Sequence, residues 1–254
     1  MTSTENKTVT AANNNSNLLN PPVRHAVTPE AAQRMAARCT DYNGSRSEAR
    51  NLKCTEFSGI KFKGEDFSGA QIQYSKFTNC SFEECDLSRL DAQFAEFSAC
   101  TFTNCIVENC DFSFAKITDT LFLNSNLGGS DFPMAQGNFS LTGCKAERMT
   151  ANNADLQLIF SRVYAAEFEA NCAKIELDVT GSSLRRSEFN DSTVSGKIVQ
   201  SDLTGSEFNR ADLAELEIID CATHNMETED SSGDMFDNEL EEALNELEEG
   251  ILEE

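Results

Sequence analysis

The chain has 254 residues, no Trp, 18 Phe, and 43 acidic against 20 basic residues, for a net charge of -23. A field of that sign repels nucleic acid and anionic membrane, so direct nucleic-acid binding is not expected and a favoured protein partner presents a basic surface. No apolar run approaches the roughly 18 to 20 residues of a membrane span, and the N-terminus lacks the basic-then-apolar layout of a cleaved signal peptide.

Residues 1–27 open with MTSTENKTVTAANNNSNLLN, a Thr, Asn and Ser-rich stretch with too little apolar content to offset the entropy of ordering, and a disordered polar leader is expected. Residues 28–48 begin with Thr28, Pro29 and Glu30, an N-cap followed by Pro in the first turn, which predicts a short Ala-rich helix through about Cys39 and then a linker. Such a helix can cover the end of whatever follows it.

From residue 49 a period of five takes over. Stepping by five from Leu52 through Phe57, Phe62 and Phe67 to Phe132, all seventeen positions are apolar. Two places before each lies a second column, of which thirteen members are small, and Cys80, Cys85, Cys100, Cys105 and Cys110 belong to it; the exceptions are Arg50, Ile60, Glu65 and Leu90. A period of five fits neither the helical 3.6 nor the strand 2.0, so it must come from a coil of higher order. The five cysteines are then small fillers of an interior, not metal ligands. Neighbouring ones fall on adjacent faces instead of converging, no Cys-Xaa-Xaa-Cys occurs, and only His25 and His224 are available as a base for a nucleophile. No catalytic residue, cofactor or metal site is expected, and the thiols are expected to be reduced.

The units Ala-Asp-Leu at 154–156 and 211–213, Ser-Asp-Phe at 130–132 and Ser-Asp-Leu at 201–203 make the chain resemble the pentapeptide-repeat family. The resemblance implies an all-β fold, a right-handed quadrilateral parallel β-helix in which four pentapeptides make one coil. The large residue points to the axis, and the small residue two places earlier also points in.

After Phe132 the phase is lost at Pro133, and Gly137 stands where a large residue is due. Phe139, Cys144 and Met149 continue out of step, and Leu156 to Phe168 spans twelve residues, two more than a pair of repeats needs. Insertions looping out near 133–160 are therefore expected. Regularity returns at Leu184, Phe189 and Val194 and, after a one-residue deletion, at Leu203, Phe208, Leu213 and Ile218, which bounds one solenoid at 49–222.

Residues 223–234 read as an acidic linker by composition. Residues 235–254 then place Phe236, Leu240, Leu244, Leu247 and Ile251 at helical spacing among glutamates, an acidic amphipathic C-terminal helix that caps, dimerises or binds a partner. Along the solenoid, Asp66, Asp86, Asp91, Glu96, Asp111 and Asp131 occupy an outward polar position and form a candidate acidic surface.

The chain is thus expected to be a non-enzymatic protein-interaction scaffold, monomeric or homodimeric. Its Ser/Thr/Asn-rich start and glutamate-rich end are similar to export signals of bacterial effectors, which places it in the bacterial cytoplasm or, after export without a cleaved signal, in a host cell. The alternative implied by the resemblance is a DNA mimic that binds DNA gyrase, like the quinolone-resistance pentapeptide proteins.

Overall fold

The structure, a computed structural model, describes residues 22–40 and 50–233. The expected leader up to residue 21, the linker at 41–48 and the tail helix at 235–254 lie outside the described residues. Two elements precede the solenoid, β1 (His25–Ala26) and α1 (Pro29–Thr40). The first coils contribute pairs of short strands: β2 (Thr55–Ser58) and β3 (Lys61–Lys63), β4 (Lys76–Thr78) and β5 (Ser81–Glu83), β6 (Glu96–Ser98) and β7 (Thr101–Thr103). Single longer strands follow: β8 (Lys116–Leu123), β9 (Gln136–Thr142), β10 (Asp155–Ser161), β11 (Lys174–Thr180), β12 (Thr193–Val199) and β13 (Asp212–Ile219). All pair in parallel, in the order β1-β2-β4-β6-β8-β9-β10-β11-β12-β13, with β3, β5 and β7 forming a second file that joins at β8, so each coil lies on the one before it as a β-solenoid.

The period of five becomes a square coil through its corners. In the first coils every fifth residue has left-handed backbone, as at Tyr74, Asn79, Glu84 and Arg89, with φ between 52° and 60°. Four such corners close one coil. Glu56 therefore pairs with Lys76, Lys76 with Glu96 and Glu96 with Lys116, each twenty positions on from the last. The large residues then stack ring on ring. Centroids lie 4.7 Å apart for Phe57–Phe77 and Phe82–Phe102 and again for Phe102–Phe122 and Phe112–Phe132, with interplanar angles of 2–11°. That distance matches the strand spacing of a sheet, so the packing of rings and the hydrogen-bonded ladder reinforce each other. Each such pair adds about 0.5–1.5 kcal/mol beyond the burial of its surface.

The small inner column has its own reason. Ser125 Oγ accepts from Cys105 N (3.0 Å) and Ser130 Oγ accepts from Cys110 N (3.0 Å), while Ser130 Oγ donates to Val107 O (2.5 Å). Inner serines thus satisfy corner amides that the strand ladder does not reach, in a column where most members are small. The cysteines occupy the same column: Cys105 Sγ lies 3.4 Å from Phe82 O, and Cys80, Cys85, Cys100, Cys105 and Cys110 are all buried. Burial pushes the Cys110 thiol up to about 12, so it stays protonated.

The loops expected near 133–160 are absent, and the coil instead shortens by one residue. Gln136 pairs with Asp155, Asp155 with Lys174, Lys174 with Thr193 and Thr193 with Asp212, each nineteen positions on from the last. The residue lost is the left-handed corner that Asn79, Ala99 and Asp119 supply in earlier coils. Without it, two short strands fuse into one of seven residues with strict alternation, and Leu156, Leu158 and Phe160, then Ile175, Leu177 and Val179, all point inward. The change is absorbed by a bulge between β8 and β9, where Ile117 faces Gly137 but Thr120 faces Phe139.

Both ends of the solenoid also differ from expectation. At the start, the leader does not extend to residue 27: His25 N donates to Cys54 O (2.8 Å) and Val27 N to Glu56 O (3.1 Å), adding β1 to the open edge. Helix α1 begins at the N-cap Thr28, whose Oγ1 accepts from Ala31 N (3.2 Å), and it lays buried Ala32, Ala36 and Cys39 over the first coil. At the far end the repeat does not stop at 222. Glu207 pairs with Glu227 and Asp212 with Ser232, so most of the expected linker at 223–234 is a further stretch of coil. The large positions above Leu203 and Phe208 have become Thr223 and Thr228, which is why the composition reads as a linker while the backbone ladder continues.

Arg50, an exception to the small column, fastens the cap. Its Nη2 donates to Asp66 Oδ2 (2.8 Å) and to Cys39 O (3.1 Å) at the end of α1, and Nη1 donates to Ser68 Oγ (2.7 Å). Burial alone would raise the Asp66 carboxyl, but hydrogen bonds from Arg50 and Ser68, with the Arg50 charge, bring it from 3.8 down to about 2. A depressed carboxyl contributes stability above its unfolded value that is lost as pH falls through the folded one. Asp66→Asn is therefore expected to lower stability at pH 7 by about 1 kcal/mol, the pair being part-exposed and screened. The deficit should shrink between pH 4 and pH 2; urea unfolding of both proteins at pH 7, 4 and 2.5 tests this, and a deficit independent of pH would break the assignment.

Candidate functional site

The solenoid turns the outward position of every pentapeptide into a straight column running along one face, so charge is organised by coil and not by sequence neighbourhood. The six acidic residues expected to share one surface fall on three columns. Asp66 pairs with Asp86, but the same column continues as Ile106, Asn126 and Lys145, so its acidity ends after two rungs. Glu96 stands on another face in the alternating column Glu56, Lys76, Glu96, Lys116. There it meets Arg24 at 2.8 Å and Lys76 at 3.7 Å; burial opposes its ionisation, and these cations hold its carboxyl below the usual range. Glu96 and Asp66 are thus neutralised and do not belong to a free acidic surface.

Asp91, Asp111 and Asp131 do share a column, and it is longer than the sequence reading allowed. The ladder runs Asp91, Asp111, Asp131, Thr150, Glu169, Glu188, Glu207, Glu227. Only Thr150 interrupts it, and its Oγ1 donates to Asp131 Oδ1 (2.8 Å). The four glutamates escaped notice because each coil from Asp131 to Glu207 is one residue shorter, so a fixed spacing of twenty misses them. None of the seven carboxylates stands within 4.0 Å of a cation among the described residues; the ion pairs there involve other acids, such as Arg186–Glu167 and Arg210–Asp191.

A row of amides beside the column holds it in place without cancelling its charge. Gln73 Nε2 donates to Asp91 and Gln93 Nε2 to Asp111 (2.6 Å). Higher up, Asn171 Nδ2 donates to Glu188 Oε2 (3.1 Å) and Asn190 Nδ2 to Glu207 Oε2 (3.3 Å). The other ends of these asparagines make a second ladder. Asn152 Oδ1 accepts from Asn171 N (2.7 Å), Asn171 Oδ1 from Asn190 N (2.8 Å) and Asn190 Oδ1 from Asn209 N (2.9 Å). Asp91, Asp111, Glu188 and Glu207 are therefore oriented in advance, in a file with the strand spacing of about 4.8 Å. Neighbouring like charges at that distance repel by about 1 kcal/mol even at the dielectric of water, and by more against a protein wall. Asp91 shows the effect: burial, and behind it the Asp111 charge, raise its carboxyl above the usual value. A row of cations laid on the column relieves this repulsion.

Among the described residues no three His, Cys, Asp or Glu side chains come together as a metal site, and no helix is long and apolar enough to cross a membrane. Phe236, Leu240, Leu244, Leu247 and Ile251 of the expected tail helix lie outside the described residues.

The family model for pentapeptide repeats matches residues 51–89 and 95–132, in eight copies. No curated protein sequence matches the chain. Among solved structures, it is similar to a trypsin-treated variant of QnrB1, a plasmid-mediated fluoroquinolone resistance protein, at 18% identity over 78% of this chain and 90% of that one, with a TM-score of 0.40. It is also similar to HetL, a pentapeptide repeat protein involved in heterocyst differentiation regulation in the cyanobacterium Nostoc sp. strain PCC 7120. There the identity is 14% over 72% of this chain and 89% of that one, with a TM-score of 0.30.

Proposed function

We infer, from the premise that this chain is a pentapeptide-repeat protein, that it is a non-enzymatic scaffold holding a basic protein partner along the carboxylate column. The observation that carries this reading is the file of seven carboxylates from Asp91 to Glu227, four of them held by side-chain amides and none with a cation within 4.0 Å among the described residues. Charge complementarity of this kind sets approach rate and register, and it is sensitive to salt. The test is Glu169→Gln, Glu188→Gln and Glu207→Gln together, which keeps shape and removes charge. Against a lysine decamer at low ionic strength the triple variant is expected to bind about tenfold more weakly and with a flatter salt dependence. Equal affinity and equal salt response would sink the reading.

The finer reading is delivery from a bacterium into a host cell, supported by the composition of the polar start and the glutamate-rich residues 235–254. The second reading, mimicry of DNA toward gyrase, has the single file of carboxylates in its favour and charge density against it. Residues 49–225 carry 15 basic and 26 acidic residues. That is about one net negative charge per layer of ~4.8 Å, where duplex DNA has one per ~1.7 Å. Inhibition of gyrase supercoiling by the wild type, lost in the triple variant, would reverse this ranking.

A further inference from the structure

One corner of the solenoid is chemically unlike the other three. In the same coils the other corners carry glycine, alanine or polar residues, such as Gly59, Asn79, Asn104 and Asn109, as left-handed backbone favours. The corner that follows the Asp91–Asp131 stretch carries Tyr74, Phe94, Phe114 and Met134, at φ of 60°, 59°, 59° and 57°. Bulky side chains in that conformation are outliers. Their rings stack outside the solenoid, Tyr74 on Phe94 at 4.9 Å and 3° and Phe94 on Phe114 at 4.8 Å and 5°. Phe114 is 46% exposed and Met134 47%. Stacking of part-exposed rings offsets about as much as the left-handed backbone costs, so stability alone gives no preference for rings over asparagine here. The ridge is also bounded, since the same corner continues upward as Asn153, Cys172, Asp191 and Arg210.

We propose that this ridge is the docking surface for a basic amphipathic helix of a partner protein. The proposal rests on the scaffold reading above and names the partner's form. Four rungs span about 14 Å, which about ten helical residues cover at 1.5 Å each. Apolar residues at i, i+3 or i+4, and i+7 advance by about 4.5–6 Å, close to the ring spacing, and seat along the ridge. Lysines or arginines on one flank of that helix then face Asp91, Asp111 and Asp131, three residues upstream of the ridge in each coil. Arg24 shows that a guanidinium fits beside it: its Nε donates to Tyr74 O (2.7 Å) and its Nη2 to Glu96 Oε1 (2.8 Å). A second copy of this chain, with a net charge of -23, would bring two carboxylate columns together.

The test uses Phe94→Asn with Phe114→Asn in the full chain. Asparagine accepts left-handed backbone more readily than phenylalanine, so the double variant is expected to melt no lower than the wild type. Two probes are titrated: a leucine/lysine amphipathic helix of about five turns and the lysine decamer. The wild type should bind the amphipathic helix about tenfold more tightly than the decamer, and the double variant should lose that margin while its decamer affinity is unchanged. Equal amphipathic-helix affinity for both proteins overturns the ridge and leaves the scaffold reading standing, whereas binding of neither probe by the wild type overturns both. A wild-type dimer that the double variant converts to monomer in sedimentation would make the ridge a self-association surface and overturn the proposal.

Discussion

Gly137→Ala is expected to cost about 3 kcal/mol or more, although it adds one methyl group. A Cβ at Gly137 would stand 1.8 Å from Ile117 O and 2.8 Å from Ile117 C, backbone atoms that cannot swing away as a side-chain tip can. The backbone there has φ +119°, which an L side chain rarely adopts. This is the junction where the coil loses its corner residue, and glycine is what lets the two coils approach across the bulge. The control is Gly59→Ala, at φ +65° with nothing within 4 Å of the new Cβ, expected to cost about 1 kcal/mol from backbone preference alone. Urea unfolding midpoints separate the two; equal losses would mean that the junction does not pair as described.

Cys105→Leu is expected to cost about 1–3 kcal/mol or more, because the neighbours of Cys105 close around its thiol. Ser125 stands directly above Cys105 in the column, and its Oγ is 3.0 Å from Cys105 N. Phe82 O and Thr103 O lie 3.4 Å from the sulfur on its other sides. A leucine must displace ladder backbone or leave the column, and either breaks stacked pairs in neighbouring coils. Cys105→Ser should be close to neutral, since serine fills this column elsewhere, and Cys105→Ala should cost less than leucine. A melting series Ser, Ala, Leu that shows no drop at leucine would refute the inward placement of the sulfur.

The inner columns were legible because their cause is local. Each pentapeptide meets the same requirement, a large residue at the axis and a small one beside the next corner, so Phe57 through Phe132 and the cysteines between them announce their burial by spacing alone. The shift at 133–160 was visible as an irregularity and misread as insertions. The change in Leu156 to Phe160 is one corner residue removed from a coil, and a five-residue template treats such a deletion as lost phase. The last coil was hidden for a different reason: once its large inward residues become polar, composition resembles a linker, while the amide ladder from Glu207 to Glu227 depends on backbone alone.

The sequence by itself determined which side chains face the axis, because a fivefold period leaves a single arrangement that buries all of them. Only the tertiary structure decided which surface residues are neighbours. Asp131 and Glu169 share a column because two shortened coils separate them, and Glu96 leaves the acidic set because Arg24, from a separate segment, reaches it. Tyr74, Phe94 and Phe114 are likewise a full coil apart in the chain and ring on ring in space. Burial follows from the local pattern of polarity, whereas contact across coils depends on the length of each coil, and a single residue gained or lost at a corner resets it for every rung above.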